Sequence, residues 1–169
     1  MGDKSMMTTV VLCVAVAEAS INAMGKWFEF HRLRPPFSIP YGLPFGFDRL
    51  DLRVKWSLLP LIIRQKTFDH GAEPWQSFEA LVELRNFIVH LRGRPVPKGV
   101  AALLKAKKLV RGSDLFGYEV AAWACDTTSE MFTKMTELVD PPTAWIDVVW
   151  CWTPRHAFSR GLSTPGDPD

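Results

Sequence analysis

Apolar residues recur along this chain at three- and four-residue spacing, and turn-forming residues gather between the periodic stretches, the pattern of a helical protein. No stretch alternates with the period of two that a half-buried strand needs. A first helix is predicted over about Thr9 to Phe30. At about 100° per residue, its polar residues Glu18, Asn22, Lys26 and Glu29 share one narrow stripe and nearly everything else is apolar, so it should be covered on most sides. The segment Arg34 to Phe47 holds four prolines and two glycines. It reads as a loop whose aromatics lie over the core.

A second helix is predicted over about Arg53 to Arg64, with Pro60 removing one backbone hydrogen bond and bending it. The third, about Pro74 to Leu91, opens with proline in its first turn and stops before Gly93 and Pro95. A short basic helix follows near Lys98 to Lys108. The last long helix, about Ser113 to Leu138, takes Ser113 as N-cap and carries Leu115, Tyr118, Ala122, Cys125, Ser129, Phe132 and Met135 at helical spacing. Pro141 and Pro142 end it, Thr143 to Trp152 reads as a strongly apolar helix or extended segment, and the chain beyond Thr153 reads as loose. These elements predict an all-α, up-and-down bundle of four long helices with one or two short extra helices. The expected organisation is a single domain over 1–152 and a loosely ordered tail over 153–169.

Composition narrows this picture. With 169 residues, 47% of them apolar, the chain can hide roughly two-thirds of its unfolded surface and needs neither disulfides nor a structural metal. Cys13, Cys125 and Cys151 are odd in number, far apart in sequence and without CxxC or Cys/His spacing, so a disulfide framework and a zinc site are not expected. That usage fits a reducing cytoplasm. The apolar run Val10 to Ala17 stops at Glu18, short of the roughly 20 residues a membrane helix needs, so no signal peptide, spanning segment or membrane partner is expected. Net charge is only +2, but it is unevenly placed. From Leu84 to Ser113 there is no acidic residue and eight basic ones (Arg85, Arg92, Arg94, Lys98, Lys105, Lys107, Lys108, Arg111), leaving twelve basic against eighteen acidic residues elsewhere. One basic stretch sits on an otherwise acidic protein.

The third helix carries the candidate chemistry. Measured around its axis from Trp75, Asn86 lies at about 20°, Glu79 at about 40°, His90 at about 60° and Glu83 at about 80°, on an otherwise mostly apolar cylinder. Arg85 emerges instead at about 280°, between Phe78 and Leu81, where a guanidinium either reaches water or is held by partners. The pattern predicts a slim polar seam between packed surfaces, with Asn86 and His90 on one face.

Leu84 to His90 (LRNFIVH) matches an Arg-Asn-x3-His motif, and in this respect the chain resembles HEPN domains, small helical proteins that in many bacterial members are metal-independent RNases. Given 11 Arg, 2 Asn and 4 His in the chain, the Arg-x4-His pair is expected by chance about 0.25 times, and the triple only on the order of 0.003 times. The aliphatic first helix, Lys55 to Ile62, Trp75 and the long alanine-containing helix are also similar to single-domain HEPN proteins, over about Val10 to Leu138. The Trp-rich end and the loop around Pro35 to Pro44 have no counterpart in that family.

The resemblance implies a cytoplasmic endoribonuclease with no metal or other cofactor, in which Arg85, Asn86 and His90 are catalytic. Cleaving RNA without metal needs a group that moves a proton near neutral pH and a cation for the charge that builds on phosphate. Histidine suits the first task and arginine the second, while Asn86 can orient the imidazole or bond the phosphate. Attack of the ribose 2′-OH on its own phosphate would give a 2′,3′-cyclic phosphate and a 5′-OH end. DNA lacks that nucleophile. Arg85 and His90 stand about 140° apart on the helix, so the family's two-fold dimer, with both motif helices meeting, would join Arg85 of one chain to His90 of the other. Arg92, Arg94 and Lys98 would hold RNA phosphates beside that cleft. The resemblance further implies a toxin or phage-defence role and a nucleotidyltransferase-type antitoxin partner. The alternative reading is a non-catalytic HEPN module that binds nucleotide or RNA, or that only dimerises.

Blander assignments cover the other polar residues. Glu79 and Glu83 read as solvated helix charges, with steadying of His90 as the alternative. Lys55 reads as a surface lysine beside a packing tryptophan, with phosphate contact as the alternative. Lys105, Lys107 and Lys108 read as a solvated face. His31, His70 and His156 have no partners at catalytic spacing, and the tryptophans read mostly as core.

Overall fold

The computed structural model describes residues 4–33, 42–90, 95–110 and 117–140. Among these residues the chain is all-helical: α1 (Lys4–His31), α2 (Leu52–Arg64), α3 (Trp75–Val89), α4 (Lys98–Ala106) and α5 (Tyr118–Val139), with a 3-10 turn at Phe47–Arg49 before α2. The tail 153–169, the segment Thr143 to Trp152 and Ser113 lie outside the described residues. Gly117 stands at the N-cap of α5.

α1 is the central element, packing chiefly on α5 and α3 and more lightly on α2. It buries Val10, Cys13, Val14, Ala17, Ile21, Met24, Gly25 and Phe28. The helix is longer than the sequence pattern indicates, and by length and composition alone it could cross a membrane. Only 28% of that apolar stretch is buried within the fold, so α1 is not covered on most sides as its pattern predicts: the other helices cover one face and leave residues such as Leu12 exposed. Gly25 is required by packing, because a Cβ there would sit 2.7 Å from the ring of the buried Phe47. Phe47 thus covers the core as expected of its loop, whereas Phe45 is fully exposed. Glu29, on the polar stripe of α1, accepts from Leu43 N at 2.8 Å and from Arg32 Nε at 3.0 Å, tying the loop's end to the helix.

α2 begins where Asp51 accepts from Arg53 N at 2.9 Å, an N-cap bond that satisfies one of the helix's free donors. At its other end Arg64 donates through Nε to Val139 O at 2.9 Å, closing the C-terminal carbonyls of α5. Trp56 fills the space between helices, with ring centroids 5.4 Å from Phe132 of α5 and 5.6 Å from Phe78 of α3. Of the described tryptophans, Trp56, Trp75 and Trp123 are buried and Trp27 is half-buried.

The buried face of α5 differs from the stripe read in the sequence. Val120, Ala121, Ala124, Thr127, Thr128, Met131 and Met135 point inward with Phe132, while Tyr118 and Ser129 are exposed and Cys125 is half-buried. Because α1, α2 and α3 all pack against α5, the buried arc is wide enough to include threonines. Thr128 offsets its burial by donating to Ala124 O at 2.8 Å.

Lys55 is neither a surface lysine nor open to a phosphate. It is fully buried, donating from Nζ to Asp48 O at 2.7 Å with Glu18 Oε1 at 3.8 Å. The 3-10 turn and the α1 polar stripe together supply the partners that a buried ammonium needs.

α3 and α4 form an antiparallel pair. The chain leaves α3 at His90 and enters α4 at Lys98, and at the far end of α4 Lys107 Nζ bonds Glu73 Oε1 at 2.6 Å, just before α3 begins. Lys107 is therefore part of an ion pair rather than of a free basic face.

Candidate functional site

α3 changes character along its length. Trp75, Ser77, Phe78, Ala80, Leu81, Val82 and Leu84 are buried, since α1, α4 and α5 pack around this part of the helix. From Arg85 onward it emerges: Phe87 and Ile88 are half-buried, and Asn86, Val89 and His90 are exposed. The expected polar seam exists, but it opens to solvent rather than lying between packed surfaces. Gln76 and Glu83 on it are exposed, and Glu79 is half-buried.

The three motif residues occupy this emerging end. Arg85 is half-buried, and its Nη1 donates to Asn86 Oδ1 at 3.0 Å while its Nε is buried without a hydrogen-bond partner. Asn86 thus holds Arg85 rather than the imidazole, through its carbonyl oxygen, and keeps its amide N–H groups exposed. One turn on, His90 caps the helix with its N–H donating to Asn86 O at 3.0 Å. The His90 side chain is exposed, and among the described residues its ring makes no hydrogen bond.

The basic stretch divides in space. Lys98, exposed at the first residue of α4, lies toward the His90 end of the α3–α4 pair. Lys105 and Lys108, also exposed, lie toward the Glu73 end, Lys105 about 10 Å further along the helix at 1.5 Å per residue. Arg92 and Arg94, the other two expected phosphate contacts, lie outside the described residues, as does Arg111. Of the predicted site residues the structure therefore gathers Arg85, Asn86 and His90 at one helix end, with Lys98 on the neighbouring element.

Glu79 and Glu83 relate to Arg53 rather than to His90. Arg53 donates from Nε to Asp51 Oδ1 at 3.1 Å. That bond, together with the charges of Asp51, Glu79 and Glu83, raises the guanidinium's pKa against the opposing effect of burial. The same bond holds the Asp51 carboxyl below its ordinary range, against a smaller upward push from burial.

A second constellation carries no sequence signal. Ser57 on α2 and His70 in the loop before α3 are 13 residues apart, and Ser57 Oγ lies 2.9 Å from His70 Nε2. The imidazole stacks on Trp75, with centroids 4.2 Å apart and an interplanar angle of 13°. Both residues line an open cleft of about 760 Å³ with Arg53, Leu58, Leu61 and Glu79. A Ser–His hydrogen bond activates a hydroxyl only where the imidazole accepts, and among the described residues no carboxylate bonds the other ring nitrogen to fix that tautomer and complete a triad. Only the turn between α2 and α3 brings these two side chains together.

No family model matches the chain, and neither does any curated protein or solved structure.

Proposed function

We propose that this chain is a HEPN-type, metal-independent endoribonuclease with a HEPN-like helical bundle, acting as a homodimer through α3. The observation that supports the reading best is the Arg85 to Asn86 hydrogen bond at the solvent-facing end of α3, one turn from the exposed His90. It preorganises a guanidinium that still has free N–H groups, which is what stabilising a phosphorane-like transition state requires. His90 moves the proton: as a base it takes one from the ribose 2′-OH, or as an acid it gives one to the leaving 5′ oxygen. In the dimer Arg85 of one copy faces His90 of the other, so that acid–base group and cation act on the same phosphate. Lys98 on α4, with Arg92 and Arg94, holds the flanking phosphates. Under this reading the protein works in the cytoplasm, in growth arrest or phage defence, and a nucleotidyltransferase-type antitoxin is its natural partner.

Incubating the purified chain with single-stranded RNA in EDTA tests the reading. Products ending in 2′,3′-cyclic phosphate, lost in His90→Ala while the dimer persists, are the expected result. Intact RNA at high protein concentration overturns it. RNA binding without turnover would point instead to a non-catalytic RNA- or nucleotide-binding module, and a gel-filtration shift in Arg85→Ala without any RNA effect to a dimerisation module.

A further inference from the structure

Two cysteines that are remote in sequence meet inside the fold. Cys13 of α1 and Cys125 of α5 are separated by 112 positions, and their Sγ atoms lie 3.6 Å apart. Both are free thiols, Cys13 buried and Cys125 half-buried. Their separation along the chain gives no sign of this meeting, because sequence spacing says nothing about contact across a helix interface. Among the described helices α1 and α5 form the most extensive pair, so the core itself holds these sulfurs together. At 3.6 Å they are in van der Waals contact, and a disulfide at about 2.05 Å requires an approach of only about 1.5 Å.

We propose that Cys13 and Cys125 form an oxidant-reactive modification site, in which a hydroperoxide oxidises Cys125 and Cys13 then closes a disulfide tying α1 to α5. The two sulfurs have unequal roles. Cys125 is the more accessible, and the hydrogen bond from Cys13 lowers its thiol pKa to about 7, against burial and the neighbouring Asp126 carboxylate, which both push it up. Cys13 is shifted upward by that same hydrogen bond, then by burial and by the charge on Cys125, with Thr128 opposing, so it keeps its proton. The thiolate is the nucleophile, so Cys125 attacks first.

The steps balance. The Cys125 thiolate attacks one oxygen of the hydroperoxide, the O–O bond breaks, the other oxygen leaves and is protonated by solvent to the alcohol or water, and Cys125 becomes a sulfenic acid. The Cys13 sulfur then attacks the Cys125 sulfur, the S–S bond forms, the S–O bond breaks, and water departs with the proton that Cys13 gives up. Two electrons pass from the thiol pair to the peroxide, and a dithiol reductant returns them.

The test treats the full, reduced chain with a slight excess of hydrogen peroxide and maps non-reduced peptides by mass spectrometry. A linked Cys13–Cys125 peptide, reversed by dithiothreitol and formed equally in Cys151→Ser, is the expected result. In Cys13→Ser, or in Cys13→Ala if the serine variant folds poorly, dimedone should trap sulfenic acid at Cys125. A crosslink through Cys151 overturns the proposal. So does sulfinic acid at Cys125 of the unmutated chain with Cys13 still free, or thiols that survive peroxide able to oxidise a free cysteine peptide.

Discussion

Two cations interrupt apolar helix surfaces in this protein, and the fold treats them oppositely. Lys55, beside Trp56 at the start of α2, is fully buried and has its Nζ bonded to Asp48 O, with the Glu18 carboxylate beyond. Arg85, near the end of α3, is half-buried, has one bond to Asn86 and leaves its Nε without a partner. The charge of Lys55 is consumed by structure: it joins the 3-10 turn, α1 and α2, and nothing from solvent can reach it. Arg85 is oriented by one bond and keeps donor groups that the proposed phosphate-handling role would use.

The sharpest way to break this contrast is at the exposed end of α3. His90→Ala should lower RNA cleavage by about 100-fold or more, the usual cost of losing a general acid–base group. Urea unfolding should meanwhile shift by less than about 0.5 kcal/mol, because the residue is exposed. A stability loss in place of an activity loss would make this end of α3 structural.

Lys55→Ala should act the other way, costing about 2–3 kcal/mol in urea denaturation through the cavity it opens and the Asp48 carbonyl it strands. Lys55→Met, which keeps most of the volume, should cost roughly half as much. If Lys55→Ala were neutral, the buried ammonium would not be the link between α1, α2 and the turn.

Arg85→Lys sharpens the comparison at the other cation. It keeps the charge but loses the planar fork, so RNA cleavage should fall by about 10-fold or more while the urea midpoint stays nearly unchanged. Full activity in the lysine variant would mean that charge alone suffices.

The smallest effect is expected at the surface pair between Glu73 and Lys107. Burial pushes the Glu73 carboxyl up, but the hydrogen bonds from Lys107 and Ser77 and the Lys107 charge outweigh it, so its folded pKa lies below the ordinary value. Its stabilisation is therefore complete above the ordinary carboxylate range and is lost as pH falls through the folded value. Glu73→Gln should remove that acid-side loss. The difference from the unmutated chain at neutral pH should stay below about 1 kcal/mol, because both side chains are substantially exposed. A larger pH effect would mean that this contact fixes α4 on α3 more firmly than a solvated ion pair can.

The sequence reading was most reliable where a local rule is strong. Apolar periodicity and the stops at Gly93 and Pro95 located five helices whose ends the fold moves by only a few residues in most cases. The exceptions are two starts, α1 at Lys4 rather than Thr9 and α5 at Tyr118 rather than Ser113. The motif residues were equally visible, since Arg85, Asn86 and His90 lie within six positions of one helix. Less legible was which face of a helix turns inward. Around α5 several stripes are apolar enough, and only the positions of α1, α2 and α3 select the one that buries Thr127 and Thr128 and leaves Tyr118 in solvent.

The sequence alone determined that the described chain is helical, where its turns fall, and that Arg85, Asn86 and His90 share the end of one helix, because these depend on interactions within a few residues. Tertiary structure decided the fate of the remaining polar groups: Lys55 buried on Asp48, Lys107 bound to Glu73, Ser57 joined to His70, and Cys13 set against Cys125. Each of those pairs joins separate elements. Their meeting depends on how helices pack, and packing is a balance of whole surfaces that no local spacing encodes.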